Sequence, residues 1–375
     1  MKVLSIMTTR VGNTGISSVV TDLAKYNNND QIQIDYVFPN LPPEKLLKIL
    51  EKKESKYFIL NTRRFKSLIL YFKELLKLMK NSNYDLVHIH ANSHTATVEL
   101  LAAKMAGIKH RVVHSHSTST AFPLLNKFFK LPFNLLLTYG FASSIEAGEW
   151  LFNDDNYSVI PTGIDTEAYK YSLEKRRKIR SELEIKDDEI LFGHVGMFTT
   201  NKNQILLIEI LNYLKKIDSN YKLILVGLGP EIKKCMAVTK SLSLENEIIF
   251  YGEADNVNEI YSAMDYFVFP SYTEGFGLAL LEAQASGLKC FASDSIPAAT
   301  NVTGDVIFFE LSSDIKEIAY LLDSAVKEET TERENKKNFE IIMDSEFDSS
   351  NSVKMTENLY KDIFERVEVD GEGFN

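Results

Sequence analysis

The sequence predicts an α/β protein made of two domains, each built around a parallel β-sheet. Short apolar runs typical of buried strands alternate with helical patterns along the whole chain, as they do in βαβ units. The 375 residues also exceed the length at which one hydrophobic core usually suffices. Ligands of such sheets bind beyond the carboxyl ends of the strands. We therefore expect two Rossmann-like domains that face each other across a cleft lined by strand-to-helix loops.

The first half of the chain contains seven predicted strands and five predicted helices, because apolar runs of strand length are separated by longer amphipathic stretches. The predicted strands lie near 2–9, 32–38, 56–60, 85–90, 110–115, 137–143 and 157–161. The predicted helices lie near 15–26, 43–54, 65–81, 94–106 and 145–152. Residues 1–165 are expected to form the first domain.

The second half repeats this alternation after a linker. A Pro-Thr-Gly-Ile-Asp run that ends at Asp165 precedes a charged helix, so residues 166–189 are the predicted linker. A second Rossmann-like domain is predicted over 190–349, followed by a helix at 350–367 and a frayed tail at 368–375. The predicted strands of this domain lie near 190–196, 222–227, 247–252, 266–270, 289–293 and 306–309.

Composition and cysteine usage indicate a protein of the cytoplasm. No apolar run approaches the ~20 residues that a membrane-spanning helix needs. Cys235 and Cys290 lie far from any Cys-x-x-Cys pattern, so neither a disulfide framework nor a cysteine metal site is expected. No nucleic-acid-binding motif is recognised, and nucleic acid is not an expected partner.

The formal net charge of −10 is unevenly distributed along the chain. Residues 1–150 carry 19 Lys and Arg against 11 Asp and Glu, whereas residues 151–375 carry 23 against 41. The basic excess is concentrated in 41–80, where 11 basic and 4 acidic residues interleave with Leu, Ile, Phe and Tyr. Such a surface is attracted to anionic lipids, so contact with the inner face of the membrane is predicted. An ordinary solvated helix face is the alternative.

The most informative segment is 271–287, which holds two glutamates eight residues apart around a glycine-rich turn. The strand before it is expected to end at Pro270, so Glu274 lies in a strand-to-helix loop and Glu282 in the following helix. The free N–H groups and the positive dipole end of such a helix attract an anion such as a pyrophosphate. Carboxylates beside an anion site can accept hydrogen bonds from sugar hydroxyls. The alternative is a capped amphipathic helix with two solvated glutamates.

This segment resembles the E-x7-E signature of retaining GT-B glycosyltransferases, in particular the bacterial group that builds capsular and exopolysaccharides. The resemblance rests on Glu-Gly-Phe-Gly at 274–277, Glu-Ala-Gln-Ala-Ser-Gly at 282–287 and the Ser293-Asp294 that follows, and it extends over nearly the whole chain. It implies the GT-B fold, with an acceptor-side first domain, a nucleotide-sugar-binding second domain and a C-terminal helix that crosses back to the first.

The same resemblance implies roles for the two glutamates. The residue matching Glu282 accepts hydrogen bonds from the ribose hydroxyls, and the one matching Glu274 holds hydroxyls of the transferred sugar. The backbone that follows Glu274 is expected to bind the departing diphosphate. It comprises Gly275, Phe276, Gly277 and Leu278.

A second loop, which includes Gly196 and Lys202, resembles the phosphate-binding loop of this family. A lysine there directs a cation at a diphosphate whose charge grows as the sugar leaves, which stabilises the transition state. An ordinary surface lysine is the alternative. Met197 occupies the position where most relatives have arginine, whose planar fork of donors methionine lacks. The resemblance also assigns the turns at Gly227 and Gly252 to the nucleotide pocket.

Two features of the first half are candidate site elements. Gly12 and Gly15 follow the first predicted strand and allow the backbone to approach a ligand, although the run is not G-x-G-x-x-G and a plain helix cap is the alternative. The pairs His88/His90 and His114/His116 alternate along strands without the partners that zinc usually has, so no metal is expected. The resemblance implies that His116 approaches the donor sugar and its leaving phosphate. A core histidine is the alternative there, and the expectation for His88 and His90.

Together these residues predict a metal-independent hexosyl- or N-acetylhexosaminyltransferase. It would move a sugar from a nucleotide donor, UDP-linked, to a glycan or lipid-linked glycan with anomeric retention, with His116, Lys202 and Glu274 as the candidate catalytic residues. No cofactor is expected, and cations with helix dipoles would replace a divalent ion because no D-x-D motif is present. A weakly active nucleotide-sugar-binding subunit is the alternative raised by Met197. The missing dinucleotide fingerprint disfavours an NAD-dependent oxidoreductase. The better match to the glycosyltransferase family disfavours a nucleotide-sugar epimerase.

Overall fold

The computed structural model describes residues 1–12, 14–60, 67–152, 156–254, 256–328 and 337–371. The chain divides into two compact units. Unit 1 comprises Met1–Gly163 and Ser349–Asn375, and unit 2 comprises Ile164–Asp348. Each unit contains one parallel sheet, so the predicted pair of Rossmann-like sheets is confirmed. Within the described residues no helix is both long enough and apolar enough to span a membrane.

Unit 1 contains a seven-stranded parallel sheet. Its strands are β1 (Lys2–Met7), β2 (Gln33–Phe38), β3 (Tyr57–Ile59), β4 (Leu86–Ala91), β5 (His110–Ser115), β6 (Tyr139–Ala142) and β7 (Tyr157–Val159). Its helices are α1 (Gly15–Tyr26), α2 (Glu44–Lys52), α3 (Leu68–Lys80), α4 (Thr97–Met105), α5 (Pro123–Leu136), α6 (Ile145–Leu151) and, from the end of the chain, α15 (Ser349–Gly371). The strand order β3-β2-β1-β4-β5-β6-β7 reverses direction between β1 and β4, so the loops after these two strands flank the switch point where ligands bind in such sheets.

The helices of unit 1 cover both faces of the sheet, because alternate residues of β1 point to opposite sides. Leu4 and Ile6 share a core with buried residues of α3, α4 and α5. Val3 and Met7 share a second core with buried residues of α1, α2 and α15. The C-terminal helix therefore packs on unit 1, as the resemblance implies.

This arrangement separates the basic residues of 41–80. Helices α2 and α3 lie on opposite faces of the sheet, since their buried residues belong to different cores. Arg63, Arg64 and Lys66 lie outside the described residues. The lysines of α2 and α3 therefore lie on helices that cover opposite faces of the sheet.

The sequence prediction missed α5 entirely. Pro123 lies in the first turn of this helix, where proline is tolerated, whereas Pro132 lies inside it and removes a backbone hydrogen bond. In a sequence, an internal proline indicates the end of a helix, so the pattern at 123–136 does not by itself predict one. Asn126 holds the helix in place, because its side-chain oxygen accepts a 2.7 Å hydrogen bond from the backbone N–H of His94.

Unit 2 contains a six-stranded parallel sheet in the order β10-β9-β8-β11-β12-β13. These strands are β8 (Ile190–Val195), β9 (Tyr221–Val226), β10 (Ile248–Gly252), β11 (Tyr266–Phe269), β12 (Lys289–Ser293) and β13 (Val306–Phe309). The helices are α7 (Thr166–Tyr169), α8 (Leu173–Glu182), α9 (Gln204–Ile217), α10 (Ile232–Ser241), α11 (Val257–Ala263), α12 (Leu278–Ala285), α13 (Ile315–Glu328) and α14 (Lys337–Met343). The strand order reverses direction between β8 and β11, which makes the loops after these strands the candidate ligand site of unit 2.

Candidate functional site

Two predicted site residues meet at the switch point of unit 2. Lys202 ends a short 3-10 turn after β8, and Glu274 lies in the loop after β11. The Nζ atom of Lys202 lies 2.5 Å from Oε1 of Glu274 and 4.7 Å from the ring centroid of Phe269. The side chains of the pair are only 20% and 12% exposed, so their charges are partly shielded from water. The fold thus presents one cation and one carboxylate at the place where ligands of such sheets bind.

The backbone around this ion pair is fixed by hydrogen bonds that do not involve its charges. The carbonyl oxygen of Asn201 accepts a 2.9 Å bond from the N–H of Tyr272. The Asn201 side chain donates a 2.8 Å bond to the carbonyl of Thr273. These two bonds join the loops independently of the ion pair, as electrostatic preorganisation requires.

The glycines of unit 2 allow three consecutive loops to approach one another. The backbone of Gly227 has φ +131°, and a Cβ atom there would lie 2.2 Å from the carbonyl oxygen of Gly196. The N–H of Gly227 also donates a 2.7 Å bond to the carbonyl of Gly252, which has φ +80°. Residue 227 must therefore be glycine for the loops after β8 and β9 to meet. Met197 is 62% exposed beside this junction, where a side chain can reach a ligand.

The turn before α12 is built around two glycines, Gly275 and Gly277. Gly277 adopts φ +96° directly before α12, which begins at Leu278. No side chain in the described part of the chain caps this helix start. The Phe276 ring stacks on Phe347 with centroids 4.6 Å apart, which directs this side chain into the unit. A Cβ atom added at Gly275 would meet no atom within 4 Å. The predicted diphosphate contacts would thus come from main-chain N–H groups of this turn.

Glu282 lies in α12 and is held by tyrosine hydroxyls. The Tyr261 hydroxyl donates a 2.8 Å hydrogen bond to Oε2 of Glu282. Burial raises the pKa of the Glu282 carboxyl to about 7, and the hydroxyls of Tyr261 and Tyr169 oppose this rise only in part. The carboxyl is therefore poised to change its charge near neutral pH. It is neither buried completely nor exposed to bulk solvent.

The first loop of unit 1 is an ordinary helix start in its local structure. The side chain of Thr14 accepts a hydrogen bond from the N–H of Ser17 and caps α1. The hydroxyl of Ser17 in turn accepts a 3.0 Å bond from the N–H of Gly12. A Cβ atom at Gly12 or Gly15 would meet no atom within 4 Å, so packing alone does not require glycine at either position.

The predicted catalytic histidine belongs to a hydrogen-bonded chain in unit 1. Nε2 of His116 lies 3.1 Å from Nδ1 of His90, whose Nε2 lies 3.2 Å from Oγ of Ser5. Burial lowers the pKa of His116 to about 3, so the ring is neutral at physiological pH. In a neutral imidazole one nitrogen donates and the other accepts, so the contact with His90 selects the tautomer of His116. The Nδ1 atom of His116 has no hydrogen-bond partner among the described residues.

His88 is a core residue, as expected, and it links the sheet to the C-terminal helix. Its Nδ1 lies 2.5 Å from the hydroxyl of Tyr360 in α15. One ligand atom from each of His88, His90 and His114 lies within 4.8 Å of the other two, a grouping that could hold a metal ion. However, the rings of His88 and His114 are stacked with only 12° between their planes. An ion must lie near the plane of each ring that binds it, so stacked rings are poorly arranged to share one. The absence of a metal remains a prediction.

Three polar residues at the unit 2 site were not foreseen from the sequence. Tyr169 and Tyr261 contact Glu282 from α7 and α11, and Asn201 joins the two loops of the ion pair. None of them was among the predicted site residues. The one available signal was the position of Asn201, directly before Lys202 in the predicted phosphate loop.

Two family models match consecutive parts of the chain. The model for glycosyltransferase family 4 matches residues 13–168, and the model for glycosyl transferases group 1 matches residues 175–340. Among relatives, the Bacillus subtilis protein EpsF, which bears a glycosyltransferase name, is 29% identical over 75% of this chain and 76% of its own length. An Escherichia coli UDP-Gal:α-D-GlcNAc-diphosphoundecaprenol α-1,3-galactosyltransferase is 28% identical over 71% of this chain and 72% of its own.

A solved structure shows the same fold over almost the entire chain. The crystal structure of Anabaena HepE in complex with UDP superposes with a TM-score of 0.77 at 19% identity, and the match covers 96% of this chain and 100% of HepE. The order of strands and the C-terminal helix described above therefore belong to a known two-unit architecture.

Proposed function

This chain belongs to the GT-B glycosyltransferases of group 1, as the sequence predicted, and on that premise we propose that it transfers a hexosyl or N-acetylhexosaminyl group from a UDP-linked donor, with anomeric retention. The proposed acceptor is a hydroxyl of a glycan or a lipid-pyrophosphate-linked glycan in polysaccharide synthesis. The name of the Escherichia coli relative, which describes a diphosphoundecaprenol-linked acceptor, supports this class of acceptor. The complex of HepE with UDP supports the choice of nucleotide. The proposed location is the cytoplasmic face of the membrane.

The observation that carries this proposal is the Lys202–Glu274 pair at the switch point of unit 2. As the bond between the anomeric carbon and the diphosphate oxygen breaks, negative charge grows on the diphosphate, which Lys202 and the N–H groups of 275–278 would stabilise. Glu274 would accept hydrogen bonds from hydroxyls of the sugar. The acceptor hydroxyl forms the new bond on the same face of the sugar, and its proton passes to the departing diphosphate.

The remaining residues have supporting roles in this scheme. Glu282, in its ionised form, would accept hydrogen bonds from the ribose hydroxyls. The junction of Gly196, Gly227 and Gly252 would form the wall of the nucleotide pocket. The resemblance assigns a neutral His116 to the donor sugar and its leaving phosphate, and the unpartnered Nδ1 of this ring is buried. The ammonium and the helix dipole would replace a divalent ion, so transfer should persist after treatment with a chelator.

A panel of nucleotide sugars, scored by thermal stabilisation and by release of UDP in the presence of acceptor, tests the proposal. We expect a UDP-sugar to raise the melting temperature, and we expect Lys202→Met to abolish turnover. Lys222→Met is the matched control, because Lys222 is equally buried (21% exposed) and also ion-paired, but lies on β9 away from the switch point. Failure of every UDP-sugar to stabilise the protein, or equal loss in both variants, would contradict the proposal.

A nucleotide-sugar-binding subunit with little turnover is the second candidate. Met197 favours it, because the exposed methionine offers no charge-assisted hydrogen bond to a diphosphate at a position where an arginine would. Stabilisation by a UDP-sugar without any release of UDP would identify this second function.

A further inference from the structure

Helix α5 presents a stripe of large apolar side chains to solvent. Leu124, Phe128, Leu131 and Leu135 are 85%, 75%, 70% and 71% exposed. Their spacing of four, three and four residues places them on one side of the helix, along its whole length. Soluble proteins rarely expose contiguous apolar patches of this kind without a binding partner.

The opposite side of α5 is already packed. Phe133 and Leu136 are buried in the core beneath the helix. The backbone carbonyl of Asn126 lies 3.0 Å from Nδ1 of His94, in addition to the side-chain bond between the same two residues. Because α5 already packs on unit 1 through its inner face, the outer stripe is not needed to hold the helix on this unit. The stripe is therefore free of the packing that holds α5 on unit 1.

The charges around the stripe indicate the chemistry of that partner. Residues 100–145 contain five Lys and Arg and no Asp or Glu. Lys127 and Lys130 are exposed and lie along one flank of the stripe. The adjacent helix α4 repeats the pattern, with Leu101 and Met105 exposed beside Lys104. A second copy of this chain would bring like charges together, whereas an anionic lipid surface offers both an apolar interior and opposite charge.

We propose that α5, with the neighbouring side chains of α4, is the element that inserts into an anionic lipid bilayer. The apolar stripe would enter the boundary between headgroups and acyl chains, with the lysines at the headgroups. Pro123 follows His116 by only seven residues, so the helix starts close in sequence to the residue that the resemblance assigns to the donor sugar. This inference rests on the proposed function in that a lipid-linked acceptor gives the contact its purpose. The surface differs from the 41–80 stretch that the sequence predicted.

Flotation of the full-length protein with vesicles tests the inference. We expect binding to vesicles of phosphatidylglycerol and phosphatidylcholine, and little binding to phosphatidylcholine alone. The double variant Lys127→Gln/Lys130→Gln should weaken binding to the anionic vesicles by roughly 30-fold. The double variant Phe128→Ser/Leu131→Ser should weaken it by at least roughly 30-fold, since two large apolar groups no longer enter the interface. Leu41→Ser is the control, because Leu41 is 63% exposed in the basic stretch predicted from sequence.

The outcomes separate the occupants of this surface. Loss of vesicle binding in both α5 variants, with Leu41→Ser unchanged, would support the proposal. Unchanged binding in the α5 variants, or equal loss in Leu41→Ser, would overturn it. A lipid-free oligomer that dissociates in Phe128→Ser/Leu131→Ser would also overturn it and assign the stripe to a second copy. Stabilisation by UDP reports folding and the proposed function independently. If UDP fails to stabilise the wild type while vesicle binding depends on α5, the proposed function falls and this inference stands.

Discussion

Replacing Glu282 by glutamine should stabilise unit 2 at alkaline pH and leave it nearly unchanged in mild acid. The folded-state pKa of Glu282 is about 7, above the usual 4.5, because burial disfavours the charged carboxylate. A raised folded-state pKa means that the group favours folding below about pH 4.5, and that this contribution is lost as the pH rises through about 7. Glutamine has nearly the same shape and no charge to bury, so the variant should not show the loss.

The size of the effect follows from the two pKa values. The linkage relation gives a fall in the free energy of unfolding of about 2.5 kcal/mol between about pH 5 and pH 8 for the Glu282 contribution. Since Glu282 keeps some contact with solvent, we expect about 2 kcal/mol, which corresponds to about a 30-fold change in the unfolding equilibrium. The ionised carboxylate is also the form of Glu282 that would bind the ribose hydroxyls. Stabilisation by UDP should therefore increase across the same pH range in the wild type, and this increase should be lost in the variant.

Amide hydrogen exchange of peptides from β11 and α12 measures this effect. The single tryptophan, Trp150, lies in unit 1, so tryptophan fluorescence does not report on unit 2. Comparison of wild type with variant at each pH cancels the intrinsic pH dependence of exchange. Glu245→Gln is the matched control, since Glu245 is an exposed glutamate of the same unit. Equal protection of wild type and Glu282→Gln at every pH would refute the reasoning that Glu282 is buried at an energetic cost.

Four further variants test the geometry of the unit 2 site. Gly227→Ala should cost about 3 kcal/mol of stability and weaken UDP binding, because the new Cβ meets the neighbouring loop. Gly252→Ala, at a position with positive φ but open space, should cost only about 1 kcal/mol. Equal losses of stability in the two variants, measured by calorimetry, would contradict the close approach of the loops at Gly227. Met197→Arg should tighten UDP binding by about 10-fold through a charge-assisted hydrogen bond, as measured by titration calorimetry; unchanged affinity would exclude this position from the diphosphate site. Glu274→Gln should reduce turnover far more than UDP affinity, because the carboxylate is assigned to the sugar; an equal loss of both would reassign it.

The sequence predicted the sheets and the principal pair of the site for a physical reason. Apolar runs of strand length appear in parallel sheets because both faces are covered, and each strand end then marks a loop at the same edge. Lys202 and Glu274 follow strands that prove to be neighbours at the switch point, so their contact needed only the strand order. What the sequence could not indicate was that they form an ion pair with each other.

The missed features depend on tertiary contacts. Helix α5 contains an internal proline, and only its packing through Phe133 and Asn126 explains why a helix persists there. The hydrogen bond from Tyr261 to Glu282 joins residues on different helices. Neither residue carries a periodic or spacing signal of this contact. Buried polar partners of this kind must be found from the structure, because a tyrosine in a helical pattern ordinarily indicates core packing.

The ion pair of Lys202 and Glu274 places opposite charges side by side at the switch point, and this bears on which molecules the proposed site would retain. A free inorganic phosphate would contact the ammonium but would bring no sugar hydroxyls to Glu274, so we expect it to compete poorly with a ligand that contacts both groups. An intact sugar diphosphate would satisfy both groups at once. Under the proposed function, the UDP left after transfer would offer no sugar hydroxyl to Glu274, and re-formation of the ion pair would favour release of UDP.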